Sequence, residues 1–279
     1  GMRSNIDVNG INDLLGPGGG SKLVARNAEA AIKVETGMKG VKIMNLMVSG
    51  GTEAKNIGIH FVGATDNGML SNIIGINLHT GVKIEQAKNM QIVNCWVCEL
   101  PNSIELIGGE NIVVKNCQLG AQPTGITCKV QEVNKLSFIN NQVYPDGREN
   151  LVLDACNNCV IEGNNFKSYY NGILVLNGND NTVNKNIFWL TGAVQNQLLD
   201  HGDDFGIINV KGNNNMVASN SLSCEWAYAG AVTVNAVQGT GNVFKNCFVD
   251  NLESYRVFLV NAQTEVSNCV SSDKVSIVE

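Results

Sequence analysis

No apolar run in the 279 residues is long enough to span a bilayer, and nothing after Met2 resembles a signal peptide. A basic surplus is also missing. The formal net charge of −6 argues against nucleic acid as a partner. Histidine is scarce, with three in all, and none lies close to Cys95-x-x-Cys98 or Cys156-x-x-Cys159, which argues against zinc. No metal and no cofactor are expected. No break in composition marks a linker, so the chain suits one elongated domain. The nine cysteines are an odd number and several fall in an inward-facing repeat slot. They read as reduced thiols, which together with the missing leader predicts a cytoplasmic protein that binds neither membrane nor nucleic acid.

What the chain does have is a repeat. Leu151-x-Leu153 and Ile173-x-Val175 alternate with a period of two, the mark of strands. Each is followed by a second signature, Ile161-x-x-Asn164-x-Phe166 and then Val183-x-x-Asn186-x-Phe188. Both signatures repeat after 22 residues. The second recurs at Ile43, Ile92, Val114, Phe138 and Val217, as Val243-x-x-Asn246-x-Phe248, and in weaker form at Val266-x-x-Cys269. A fixed period of this size means stacked units, none of which can bury a face alone. The units are too short to hold a crossover helix. One architecture fits: an all-β, single-stranded, right-handed parallel β-helix of about ten coils, in which like residues stack about 4.8 Å apart. Residues 1–30, Gly-rich around Gly16–Gly20, read as an irregular N-terminal cap, and residues 31–279 as the β-helix domain.

The fourth position of the second signature is Asn or Cys in most coils. A buried amide must be satisfied, and stacked amides can bond to one another as a ladder. That accounts for Asn141, Asn164, Asn186, Asn220 and Asn246. Cys95, Cys117 and Cys269 fill the same slot with a small thiol.

One coil breaks the period, with 34 residues between Asn186 and Asn220. The surplus carries Asp200, His201, Asp203 and Asp204, the densest ionisable cluster in the chain. Long loops on a rigid scaffold are where function collects, although Asp-Gly turn chemistry in a solvated loop reads equally from the same residues. The first-strand face is expected to show the apolar patch Ile107, Val152, Leu174 and Leu176, which would mark an interface. Around it lie Glu105, Lys129 and Asp154, with Arg148, Tyr169, Tyr170 and Trp226 supplied by turns. Carboxylates beside aromatic rings suit carbohydrate. An ordinary mixed surface is the alternative.

The run Gly125-Ile126-Thr127, Asn140-Asn141, Tyr144-Pro145-Asp146-Gly147-Arg148, Cys156-Asn157-Asn158-Cys159, Leu176-Asn177-Gly178 and Asp203-Asp204-Phe205-Gly206 resembles the inulin fructotransferases. These glycoside hydrolases make or open difructose anhydrides. The resemblance runs from about Gly40 to Leu222. It implies a homotrimer with sites between subunits, a fructan substrate, and attack by a sugar hydroxyl on a fructosyl centre. It also implies acids at two places that read Thr124 and Asn134 here, and neither residue can act as acid or base at neutral pH.

The candidate catalytic residues are therefore Asp203, Asp204, Glu105 and Asp154. The candidate binding residues are Arg148, Tyr169, Tyr170, Asn177, His201, Lys129 and Trp226. The expected function is a carbohydrate-active protein on fructan or a related polysaccharide. The alternatives are a non-catalytic sugar-binding or structural β-helix of phage-tail or adhesin type, or a polysaccharide lyase.

Overall fold

The computed structural model describes residues 7–9, 21–25, 28–51, 55–191, 205–224, 232–250, 257–270 and 275–278. Among them there are strands and turns but no helix. All strand pairs are parallel, and three series of registers define three faces. The first face runs from Ile32 through Ile59, Val82, Ile104, Cys128, Leu151, Leu174, Ile208 and Val234 to Phe258 and Val275. The second stacks Ile43, Leu70, Ile92, Val114, Phe138, Ile161, Val183, Val217, Phe244 and Val266. The third stacks Val97, Leu119, Val143, Phe166, Phe188, Leu222 and Val249. The ten rungs from Ile43 to Val266 on the second face enclose nine turns, so the expected right-handed parallel β-helix has about nine turns where about ten coils were expected. In the middle coils the strands Thr80–Val93, Trp96–Lys115 and Gln118–Ile139 continue round corners without a break.

Residues 1–30 contribute two described strands, Asp7–Asn9 and Ser21–Ala25, and both pair with Lys42–Gly50.

The rungs named above point inward and are buried almost throughout. Each buried aliphatic or aromatic side chain contributes about 1.5–3 kcal/mol. Phe138, Phe166 and Phe188 stack along the axis with ring centroids 6.1 and 5.0 Å apart.

The corner between the second and third faces follows one rule. A residue with positive φ turns the chain, and the next residue fills the ladder slot. Asn94, Asn116, Asn140, Gly163, Lys185, Ser219, Asn246 and Asn268 take the turning position. Asn and Gly tolerate that conformation best. The slot residues after them bond as expected: Asn141 Nδ2 donates to Asn164 Oδ1 (3.0 Å), Asn164 to Asn186 (2.9 Å) and Asn186 to Asn220 (3.0 Å). One rung differs. Val217 pairs with Phe244, not with Val243, so Asn246 turns the corner and Cys247 occupies the slot, its N–H 3.4 Å from Cys269 Sγ. Phe248 is thereby 52% exposed while Val249 is buried.

A second amide ladder, which the repeat signature did not reveal, lines the corner between the first and second faces. Asn181 Nδ2 donates to Asn215 Oδ1 (2.9 Å), and Asn215 to Asn242 (3.1 Å).

Candidate functional site

The third corner, where the third face gives way to the first, carries the chain's irregularities. In the strand Trp96–Lys115 the register shifts on both sides of Leu100, and Glu99 takes φ +63°. A β-bulge of this kind re-aims a side chain, and a non-glycine residue held at positive φ costs about 1–3 kcal/mol. Beside the bulge lies a pocket of about 240 Å³ lined by Trp96, Cys98, Glu99, Gly120, Ala121, Tyr144 and Asp146.

Strand alternation sets the walls. Trp96, Gln118 and Gln142 stack in one outward column, and the residues two places on, Cys98, Gly120 and Tyr144, form the next. Gly120 lets Tyr144 pack close to the strand: a Cβ there would lie 3.0 Å from Tyr144 Cβ and 3.7 Å from Cys98 Sγ. The Tyr144 hydroxyl donates to Gln118 Oε1 at 2.9 Å, which fixes the ring. Burial, and then the nearby Glu99 carboxylate, push the Cys98 thiol up to about 12. It is therefore an inert part of the floor. The pocket thus offers two aromatic rings and two exposed carboxylates, Glu99 and Asp146.

The candidates read from the sequence fall in several places. Asp203, Asp204, His201 and Trp226 lie outside the described residues. Tyr170 is buried next to the pocket, its hydroxyl raised by burial and by the charge of Asp146. Tyr169 precedes it and is half-buried. Arg148 follows the Asp146 turn and approaches Glu149 Oε1 at 3.5 Å. Glu105, Lys129, Asp154 and Asn177 stand on the outward side of the first face. Lys129 Nζ lies 3.9 Å from Glu105, and Asn177 Nδ2 donates to Asp154 at 2.7 Å. Glu105 and Asp154 are two coils and two residues apart, about 12 Å between backbones. That is wider than the roughly 5–10 Å between paired carboxyl groups in glycoside hydrolysis. The structure therefore does not join them as one acid pair.

The expected apolar patch needs correction. Leu174 pairs with Leu151, and Leu176 with Leu153, both pointing inward and fully buried. The outward row reads Lys83, Glu105, Lys129, Val152, Val175 and Asn209, with Ile107 beside it. At the corner between the first and second faces, Asn134 pairs with Glu110 and accepts from Asn158 Nδ2 at 2.9 Å. The Lys135 ammonium, 2.8 Å away, holds the Glu110 carboxyl below its usual range.

The repeat geometry has counterparts among known proteins. A family model for the right-handed β-helix region matches residues 124–277, and one described as periplasmic copper-binding protein (NosD) matches residues 22–188. Each covers more than half of the chain. The chain belongs to the right-handed β-helix and NosD families.

No curated protein matches the sequence of this β-helix protein. Solved structures similar to it include the DFA-IIIase of Arthrobacter chlorophenolicus A6, as mutant C387A in complex with DFA-III. That likeness has a TM-score of 0.83 at 18% identity and covers 100% of this chain and 83% of the other. The same enzyme without its lid gives 0.83 at 19% identity, with 100% and 83% covered. The Dettilon tailspike protein gives 0.50 at 15% identity, covering 91% of this chain and 60% of the tailspike. The resemblance to the inulin fructotransferase group therefore holds at the level of fold.

The NosD match overturns the expectation of a cytoplasmic protein, because that family is described as periplasmic. The expectation rested on unpaired thiols. All nine cysteines are indeed free, and every one except Cys224 is buried. Thiols walled into a core are withheld from oxidants in any compartment, so their reduced state says nothing about location. The described residues also do not fit copper. No three His, Cys, Asp or Glu side chains converge among them, and the thiols are packed into the core.

Proposed function

We propose that this protein binds carbohydrate, a fructan or a related polysaccharide, in the pocket between Trp96 and Tyr144, in the periplasm or outside the cell. One observation carries the reading. Two rings, Trp96 and Tyr144, and two carboxylates, Glu99 and Asp146, line one pocket. Rings stack on the apolar faces of sugars, and carboxylates accept hydroxyl protons. His201, Asp203 and Asp204 lie in the chain between the strands Ile187–Leu190 and Ile208–Val210. They, with Trp226, are proposed as further contacts. Fructosyl transfer is the second reading, supported by the two pocket carboxylates, with Asp203 and Asp204 as additional acids.

Trp96→Ala and Tyr144→Ala should each weaken binding of inulin-type oligosaccharides at least about tenfold, or ~1.4 kcal/mol, by isothermal titration calorimetry. Wild type that binds no fructan, or variants that bind as wild type does, would refute the reading. Incubation with inulin and with difructose anhydride separates the two readings: released product marks turnover, and binding without product marks a binding protein.

We also infer a homotrimer, supported by the half-buried outward apolar residues Ile107, Val152 and Val175 on the first face. Sedimentation equilibrium at micromolar concentration is expected to give three times the chain mass, and a monomer would count against it.

A further inference from the structure

We propose that the pocket is the first subsite of a track that runs along the helix axis on the third face and reads a linear neutral oligosaccharide, one sugar per coil. This rests on the carbohydrate reading above. The registers place aromatic rings on alternate coils. Trp96 stands on one coil, Tyr144 two coils on, Trp189 two further and Phe248 two beyond that. All four point outward, because they flank the buried inward column Val97, Val143, Phe188 and Val249. The repeat between rings is two inter-strand spacings, about 9.6 Å, and the whole row spans six, about 29 Å.

The intervening coils carry polar side chains in the same two outward columns. Gln118 lies between Trp96 and Tyr144 and accepts the Tyr144 hydroxyl. Lys167 lies between Tyr144 and Trp189, with its ammonium 5.0 Å from the Trp189 ring centroid. Ser223 pairs with Trp189 on the following coil, so only a small side chain abuts the ring there. A ring on every second coil and a hydrogen-bonding group between suit a chain of sugars. Every second unit stacks and the next is held by its hydroxyls. The exposure of Phe248, 52%, and of Ile187, 49%, two coils before it in the same column, leaves the far end of the row open to a ligand. A periodic row that begins in a pocket favours one extended ligand over a second protein copy, whose contacts would not need the two-coil repeat.

The test is a length series of inulin-type fructo-oligosaccharides, from the trisaccharide to the octasaccharide, titrated against the intact protein by calorimetry. Affinity should rise at least about tenfold between the trisaccharide and the heptasaccharide and then level off. Trp189→Ala and, independently, the exposed Phe248→Ser should remove most of that rise while leaving trisaccharide affinity within about twofold. Affinity that is flat beyond the trisaccharide, or a rise that both variants retain, would overturn the track and leave the pocket standing. Failure to bind any length would overturn both. Self-association abolished by Phe248→Ser, without a length effect, would assign the face to a second copy and overturn the track.

Discussion

Leu174→Asp is expected to unfold the protein outright, with no folded, dissociated subunit left behind. Leu174 is fully buried on the inward side of the first face, between Leu151 and Ile208 on the neighbouring coils, which are buried equally. Removing its side chain alone costs about 2–5 kcal/mol, and an unpaired carboxylate in that position costs several kcal/mol more. The sum exceeds about 5 kcal/mol and consumes most of the roughly 5–15 kcal/mol that holds a domain folded. Val175→Asp, one residue later and outward, should change subunit stability by less than about 1 kcal/mol. If the first-face row is buried between subunits, this second variant dissociates them. Circular dichroism with urea titration separates the pair. A Leu174→Asp protein with the wild-type midpoint would mean that the registers described for this face are wrong.

The same pair of residues shows how far the sequence could be read. Period-two alternation identified strands and their stacking, but it left the register open wherever apolar residues ran together. Ile173 to Leu176 is one such run, and Val243-Phe244 is another. In each, a one-residue slip exchanges the inward and outward sets. Read from Ile173, the strand shows Leu174 and Leu176 to solvent. The backbone pairs Leu174 with Leu151 and buries both. Asn slots were legible because an amide amid apolar neighbours is conspicuous, and Asn141 to Asn220 were located correctly. Asn246 takes the turn and not the slot, because Asn serves two purposes at that corner, filling the slot or taking the positive φ before it, and only the pairing distinguishes them. The pocket was hidden for a different reason. It depends on an absent side chain, at Gly120, and on a bulge at Glu99, and neither has a sequence period. The Tyr144-Pro145-Asp146-Gly147 turn, noted for its resemblance alone, was the one visible trace.

The amide ladder yields the second large effect. Asn164 is 1% exposed, and its side chain joins three coils. Oδ1 accepts from Asn141 N–H (2.8 Å) and Asn141 Nδ2 (3.0 Å), while Nδ2 donates to Phe138 O (2.8 Å) and Asn186 Oδ1 (2.9 Å). Asn164→Ala removes all four. Asn141 Nδ2 keeps Val114 O (3.0 Å) and Asn186 Oδ1 keeps the Asn164 backbone N–H (2.9 Å). The Asn141 backbone N–H loses the acceptor that Asn164 gave it. With each of the four bonds worth about 1 kcal/mol and a stranded buried donor about 1–3 kcal/mol, the expected loss is about 5–7 kcal/mol. Asn164→Cys should cost about half as much, because sulfur in this slot can accept the same backbone proton, as Cys269 Sγ does from Cys247 N–H at 3.4 Å. Urea midpoints at constant slope measure both. Equal losses for Ala and Cys would show that slot volume, not acceptor chemistry, holds the corner. A loss below about 1 kcal/mol for Ala would show that water replaces the ladder there.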